Sequence, residues 1–136
     1  TETGVMPSSL DALLREADVI SVHLPHDTST ANILDATYLS MIKASAILIN
    51  TARGGLVDEM AIKQMLKAGT LAGAAFDVFA CEPPEDQELL DLPNFFATPH
   101  VGGSTQESIL AMGRAAIDGL DDYRVPEKGI FPPGLW

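Results

Sequence analysis

Four short apolar runs, at residues 17–24, 46–50, 71–78 and 95–98, divide this chain at fairly even intervals, and the stretches between them carry helical periodicity. Runs of that length, bounded by Gly, Pro, Asn and Asp, read as strands. Two strands joined through a helix lie parallel in one sheet, and the crossover between them is right-handed. The expected fold class is therefore α/β, a doubly wound parallel sheet. All strands of such a sheet deliver their C-terminal ends to one edge, where ligands bind.

The intervening segments supply helix signals. Ser8 or Ser9 can cap a helix with the stripe Leu10, Leu13, Leu14 and Ala17, and the buried strand 17–24 that follows stops at Pro25. Asp35 can cap a helix over 36–43 that turns Leu39 and Ile42 inward. After the turn at 51–55, Asp58 caps a helix carrying Ala61, Ile62, Met65 and Leu66, which Gly69 ends. A Pro-rich acidic loop at 81–85 and a short turn of helix at 87–90 precede the last strand. Ser104-Thr105-Gln106-Glu107 reads as a capping box opening a helix through Leu120, with Ile109, Met112, Ala116, Ile117 and Leu120 on its inner face. The tail 121–136 is rich in Pro and Gly and has no period.

Bulk properties narrow the function classes. At 136 residues the chain is one domain's worth, and its formal net charge of −11 comes without any Lys/Arg cluster, so nucleic acid is not expected as a partner. Cys81 is the single cysteine, so no internal disulfide is possible. No apolar run approaches the roughly 18 residues of a membrane span. Residues 1–9 lack the basic and apolar regions of a signal peptide. A cytoplasmic location and no membrane partner are the expectations. Position 1 is Thr and not Met, the pattern of a piece of a longer chain. No metal-ligand spacing is present.

Three chemistry-bearing residues, Arg53, Glu82 and His100, each lie just past the end of a strand-like run. Arg53 is followed by two glycines that let backbone approach a ligand, and a guanidinium forks onto a carboxylate through two parallel hydrogen bonds. His100 sits between Thr98-Pro99 and Val101-Gly102-Gly103, a constrained corner suited to a general acid or base. Glu82 precedes two prolines that fix its backbone, and a carboxylate beside His100 would set its tautomer and favour the imidazolium. Together they suit reduction of an acidic carbonyl compound. The alternatives are a surface arginine, a structural histidine and a solvated loop acid. Asp77 stands inside an apolar run, where a carboxylate needs backbone donors or a bound amide as partner. His26 reads as solvent-exposed, and Cys81 as a buried or incidental thiol with no base beside it in sequence.

With these residues in view, the chain resembles the D-isomer-specific 2-hydroxyacid dehydrogenases, the group containing phosphoglycerate dehydrogenase and the glyoxylate/hydroxypyruvate reductases. The resemblance rests on four motifs in order: Ala17 through Pro25, Ile49 through Asp58, Gly73 through Phe79 continuing to Glu82-Pro83, and Thr98 through Thr105. It implies the second half of a Rossmann-like coenzyme domain over 1–120, with 121–136 returning toward a substrate domain. By position it implies that Arg53 binds the substrate carboxylate and carbonyl, that His100 is the acid/base and that Glu82 is its dyad partner. Asp77 matches the residue that receives the nicotinamide carboxamide. The turns His23-Leu24-Pro25 and Thr51-Ala52-Arg53 match loops lining the cofactor, and Gly102 and Gly103 would pass beside the nicotinamide with His100.

The chain departs from the family pattern in containing neither a Gly-x-Gly-x-x-Gly nor the acidic residue that selects NAD over NADP. Ala44-Ser45 replaces a common Pro-Gly, a harmless change in a turn. The resemblance implies an NAD-dependent oxidoreductase, with NADP left open, interconverting a small D-2-hydroxy acid and its 2-oxo acid. It implies a homodimer when full length, and inactivity for these residues alone. The alternatives are an NAD(H)-sensing, corepressor-like binding protein of the same fold, or an inactive truncated fragment.

Overall fold

The computed structural model describes residues 4–121, and internal packing divides the chain into two units, residues 1–102 and 103–136. The first unit runs α1 (Leu10–Glu16), β1 (Val19–Val22), α2 (Ala36–Leu39), β2 (Ile47–Asn50), α3 (Glu59–Ala68), β3 (Gly73–Phe76), α4 (Gln87–Leu90) and β4 (Phe95–Ala97). The second contains α5 (Gln106–Asp121). The tail after Asp121, with its expected return to a substrate domain, lies outside the described residues.

The strands form one parallel sheet in the order β1-β2-β3-β4, as the strand–helix alternation requires. One row across it pairs Ile20, Leu48, Ala74 and Phe95, and the next like-facing row pairs Val22, Asn50, Phe76 and Ala97. These rows face the core, a single cluster that also takes Leu14, Leu39, Ile42, Ile62, Leu66 and Leu89 from the helices or their ends. Burying a side chain of this size contributes about 1.5–3 kcal/mol relative to leaving it exposed. Phe76, Phe79 and Phe95 meet edge-on or tilted, with ring centroids 5.4–6.2 Å apart.

The other face of the sheet is more open. Val19, Ile47 and Phe96 are exposed on it, so the expectation that 17–24 is a buried strand fails: β1 is shorter and buries alternate residues only. The apolar run hid this because Val and Ile fill both faces of a strand regardless of what covers them.

The helix boundaries follow their caps. Ser9 accepts from Ala12 N–H, Asp35 from Thr37 and Tyr38 N–H, and Asp58 from Ala61 N–H. Gly69 closes α3 at φ +70°, a conformation that costs glycine nothing. The helix expected over 36–43 ends early, at Leu39. Tighter turn bonds from Met41 and Ile42 N–H to Tyr38 and Leu39 carbonyls continue it, and Leu39 and Ile42 still face inward. A bridge between Leu34 and Val57 went unread in the sequence.

In the second unit Thr105 accepts from Ser108 N–H at 3.1 Å, so the cap sits one residue later than the box at 104–107 proposed. Ile109, Met112, Ile117 and Leu120, expected on an inner face, are exposed. Among the described residues no helix is long and apolar enough to cross a membrane.

Candidate functional site

Because β1–β4 are parallel, the segments after Val22, Asn50, Phe76 and Ala97 all leave the same edge of the sheet. Glu82 and His100 meet there: His100 Nδ1 lies 2.8 Å from Glu82 Oε2, with both side chains partly exposed. The hydrogen bond from His100, and then the Phe79 N–H donated to Glu82 Oε1 at 3.0 Å, hold the Glu82 carboxyl below its ordinary range. An ionised carboxylate only accepts, so Nδ1 carries a proton and Nε2 is the ring nitrogen left for a ligand. His100 has φ +54°, a left-handed backbone that non-glycine residues adopt infrequently, often at functional positions.

Asp77 holds that backbone in place. Its Oδ1 accepts from the Thr98 hydroxyl and from Val101 N–H at 2.8 Å, and its Oδ2 accepts from Gly102 N–H at 2.9 Å. Burial pushes its carboxyl up, but the Thr98 hydroxyl and the two amides outweigh burial and leave it lowered. The sequence asked for backbone donors or a bound amide. Backbone donors are present, and Oδ2 retains a lone pair that an amide N–H can use. A Cβ at Gly102 would stand 3.0 Å from Oδ2, so this close approach suits glycine.

Arg53 is exposed on the turn after β2. Its Nη1 donates to Ala52 O at 2.7 Å, and its carbonyl accepts from Asn50 Nδ2 at 3.0 Å. Asn50, 1% exposed at the end of β2, also accepts from Ala52 N–H at 3.1 Å, and its carbonyl takes Asp77 N–H. The buried Asn50 side chain thus shapes the arginine turn, while its backbone carbonyl ties the start of that turn to the residue after β3. Gly54 packs against the next loop: a Cβ there would lie 1.9 Å from Phe79 O. The Arg53 turn and the Glu82 loop are therefore in backbone contact.

The remaining expected residues are spread along the edge. His23 Nε2 lies 2.9 Å from Ser21 Oγ, beside exposed Leu24 and Pro25 at the end of β1. Thr51 is exposed and Ala52 half-buried, while Gly103 belongs to the second unit. His26 is exposed, as read, but it stands against Gly55. Cys81 is exposed, so of the two alternatives read for it, buried or incidental, burial does not hold. A cavity of about 190 Å³ is lined by Asp77, Phe79, Glu82, Thr98, Pro99 and His100 among others.

Sequence reasoning missed Asn50, Thr98 and Glu59. A polar residue closing an apolar strand was the available signal for Asn50. Nothing in sequence paired Glu59 with the Ala80 N–H that it accepts at 2.7 Å.

This arrangement fits a dinucleotide at the nicotinamide end: a spare acceptor on Asp77, glycines at the closest backbone approaches and a histidine with one free nitrogen. Comparison with known proteins shows the family of the domain. Residues 1–102 match the model of the D-isomer specific 2-hydroxyacid dehydrogenase NAD binding domain. The chain is 46% identical over 117 residues to glycerate dehydrogenase of Methylorubrum extorquens, covering 84% of this chain and 37% of that protein. It is 42% identical over 132 residues to D-3-phosphoglycerate dehydrogenase of Mycobacterium leprae, covering 97% and 24%. Among solved structures it resembles the NADPH-dependent glyoxylate/hydroxypyruvate reductase of Sinorhizobium meliloti in complex with NADP and malonate. There the TM-score is 0.78 and the identity 35%, over 83% of this chain and 35% of that one. The chain thus spans about a quarter to two-fifths of the relatives it matches.

Proposed function

Because this chain belongs to the D-isomer specific 2-hydroxyacid dehydrogenase family through its NAD-binding domain, we propose that it serves an NAD(P)-dependent oxidoreductase interconverting a D-2-hydroxy acid and its 2-oxo acid. On this reading residues 1–120 are the C-terminal part of the coenzyme domain. The observation that carries it is the His100–Glu82 contact of 2.8 Å, with the opposite ring nitrogen left free.

A nicotinamide held here would supply or accept the hydride. The chain's own residues do the rest. In the reducing direction His100 Nε2–H donates a proton to the oxygen that gains charge, while Glu82 Oε2 stabilises the ring through Nδ1. In the oxidising direction Nε2 takes that proton back. Arg53 grips the substrate carboxylate with its planar fork, and the same cation polarises the neighbouring carbonyl. Asp77 fixes the His100 loop and offers its spare lone pair to the carboxamide. The 23–25 and 51–53 turns, with Gly102 and Gly103, line the cofactor.

The reading extends to a cytoplasmic homodimer at full length. The unpaired, exposed Cys81 accords with a reducing compartment. No observation favours the NAD(H)-sensing alternative.

The test uses a polypeptide carrying this sequence with the glycine-rich half of a cofactor domain and a substrate domain. Oxidation of NADH or NADPH dependent on glyoxylate, hydroxypyruvate or another 2-oxo acid is the expected result. Cofactor binding without turnover on any 2-oxo acid would support a sensor instead.

A further inference from the structure

The Glu82–His100 contact depends on the path of residues 79–82, and that path is held from several sides. The Phe79 ring is buried against Phe76 and Phe95, its N–H goes to Glu82, and its carbonyl rests on Gly54. Ala80 N–H is the next donor along the chain. It is taken, at 2.7 Å, by Glu59 Oε1 from the first turn of α3, 21 residues away. An acidic residue in a first turn is ordinarily explained by the helix dipole alone. Glu59 departs from that: its side chain is partly buried and turned onto another loop, and Asp58 serves as the cap.

We propose that Glu59 is a positioning residue for the His100–Glu82 dyad: by holding Ala80 N–H it fixes the loop whose next turn presents Glu82 to His100. The inference rests on the dyad reading above.

Burial, followed by the nearby Asp86 and Asp58 carboxylates, pushes the Glu59 carboxyl up, opposed by the Ala80 N–H. The contact itself needs an acceptor oxygen at this reach, which a neutral amide side chain of the same length also supplies. Gln at 59 keeps the acceptor. Ala removes it, and Asp is one methylene too short to reach Ala80. Removing the tie frees the 80–82 backbone on the α3 side, and the Glu82 carboxylate then meets the His100 ring only part of the time.

The experiment reads the His100 ring directly in the uniformly 15N-labelled chain, by long-range 1H–15N correlation above the pH at which imidazole titrates. His100→Gln assigns the signals among His23, His26 and His100. In the parent chain His100 is expected as the Nδ1–H tautomer, because Glu82 accepts from that nitrogen. Glu82→Ala measures full loss of the contact. Glu59→Ala is expected to move the ring a substantial part of the way to the Glu82→Ala position, whereas Glu59→Gln stays with the parent. Amide dispersion shows whether each variant is folded, and Glu59→Asp replaces Glu59→Ala if the alanine variant is not.

A ring unmoved by Glu59→Ala or Glu59→Asp, but moved by Glu82→Ala, overturns the role of Glu59 and leaves the dyad standing. Equal movement in Gln and Ala also overturns it, since a charge effect would then be responsible. A ring unmoved even by Glu82→Ala removes the dyad and the inference with it.

Discussion

At the scale of single residues, the proposed function assigns proton transfer to one side chain and charge recognition to another, so each can be tested alone. His100→Asn keeps a polar side chain but cannot exchange a proton. It is expected to lower kcat by roughly 10²–10⁴-fold in the full-length enzyme, with the Kd for NADH unchanged. Near-normal turnover would show that another group supplies the proton. Arg53→Lys keeps the charge but loses the two-point fork, so the KM for the 2-oxo acid should rise strongly while NADH binding survives. Parallel loss of both affinities would make Arg53 a support for fold or cofactor. Glu82 gives a pH signature. Its carboxyl is depressed in the fold by His100 and by Phe79 N–H, so its stabilising contribution is complete above the ordinary Glu value of about 4.3 and lost as pH falls through the depressed one. The Tm difference between the parent and Glu82→Gln should therefore shrink on acidification below about pH 4.3, where Glu normally titrates. A constant difference would mean that His100 and Phe79 do not hold the charged form.

At the scale of elements, the loops at the sheet edge behave as one framework because backbone meets backbone or ends on a buried acceptor. Gly54 tests this. Its alanine variant puts a Cβ 1.9 Å from Phe79 O, so the Arg53 turn and the Glu82 loop must separate. A cost on the order of 1–3 kcal/mol or more in urea unfolding is expected, whereas Gly103→Ala, with nothing within 4 Å of the added Cβ, should change little. Equal effects would show that Gly54 is not a packing point. The sequence announced these elements well, since caps such as Asp35, Asp58 and Gly69 carry their signal locally. Arg53, Glu82, His100 and Asp77 were legible for a related reason: each interrupts or follows an apolar run. Asn50 and Glu59 were not, because an amide at a strand end and an acid in a helix's first turn have ordinary local explanations. Their partners become visible only when β2, β3 and the loop after β3 are side by side. Strand burial was overread, since alternation on one face is masked when both faces carry Val and Ile.

At the scale of the whole molecule, the described part of the sheet has one well-filled face and an edge strand, β1, paired only with β2. The sequence holds no glycine-rich pyrophosphate turn, so cofactor contacts would be limited to the nicotinamide side and the loop after β1. Those contacts would have to offset the full entropic cost of immobilising a dinucleotide. The 136 residues alone are therefore expected to give no saturable fluorescence change on titration with NADH, and no turnover. Saturable binding with turnover would mean that two copies complete a site between them. A different property follows from the loop framework itself. The N–H groups of Ala52, Phe79, Ala80, Val101 and Gly102 lie outside helix and strand, yet each ends on a side-chain oxygen from Asn50, Glu82, Glu59 or Asp77. Such amides cannot trade hydrogen for deuterium until the side chain lets go. This irregular edge should exchange slowly and nearly in step, more like a strand than like the turns around it. The rate at which deuterium enters those five positions would then clock the opening of this sheet edge as a single unit.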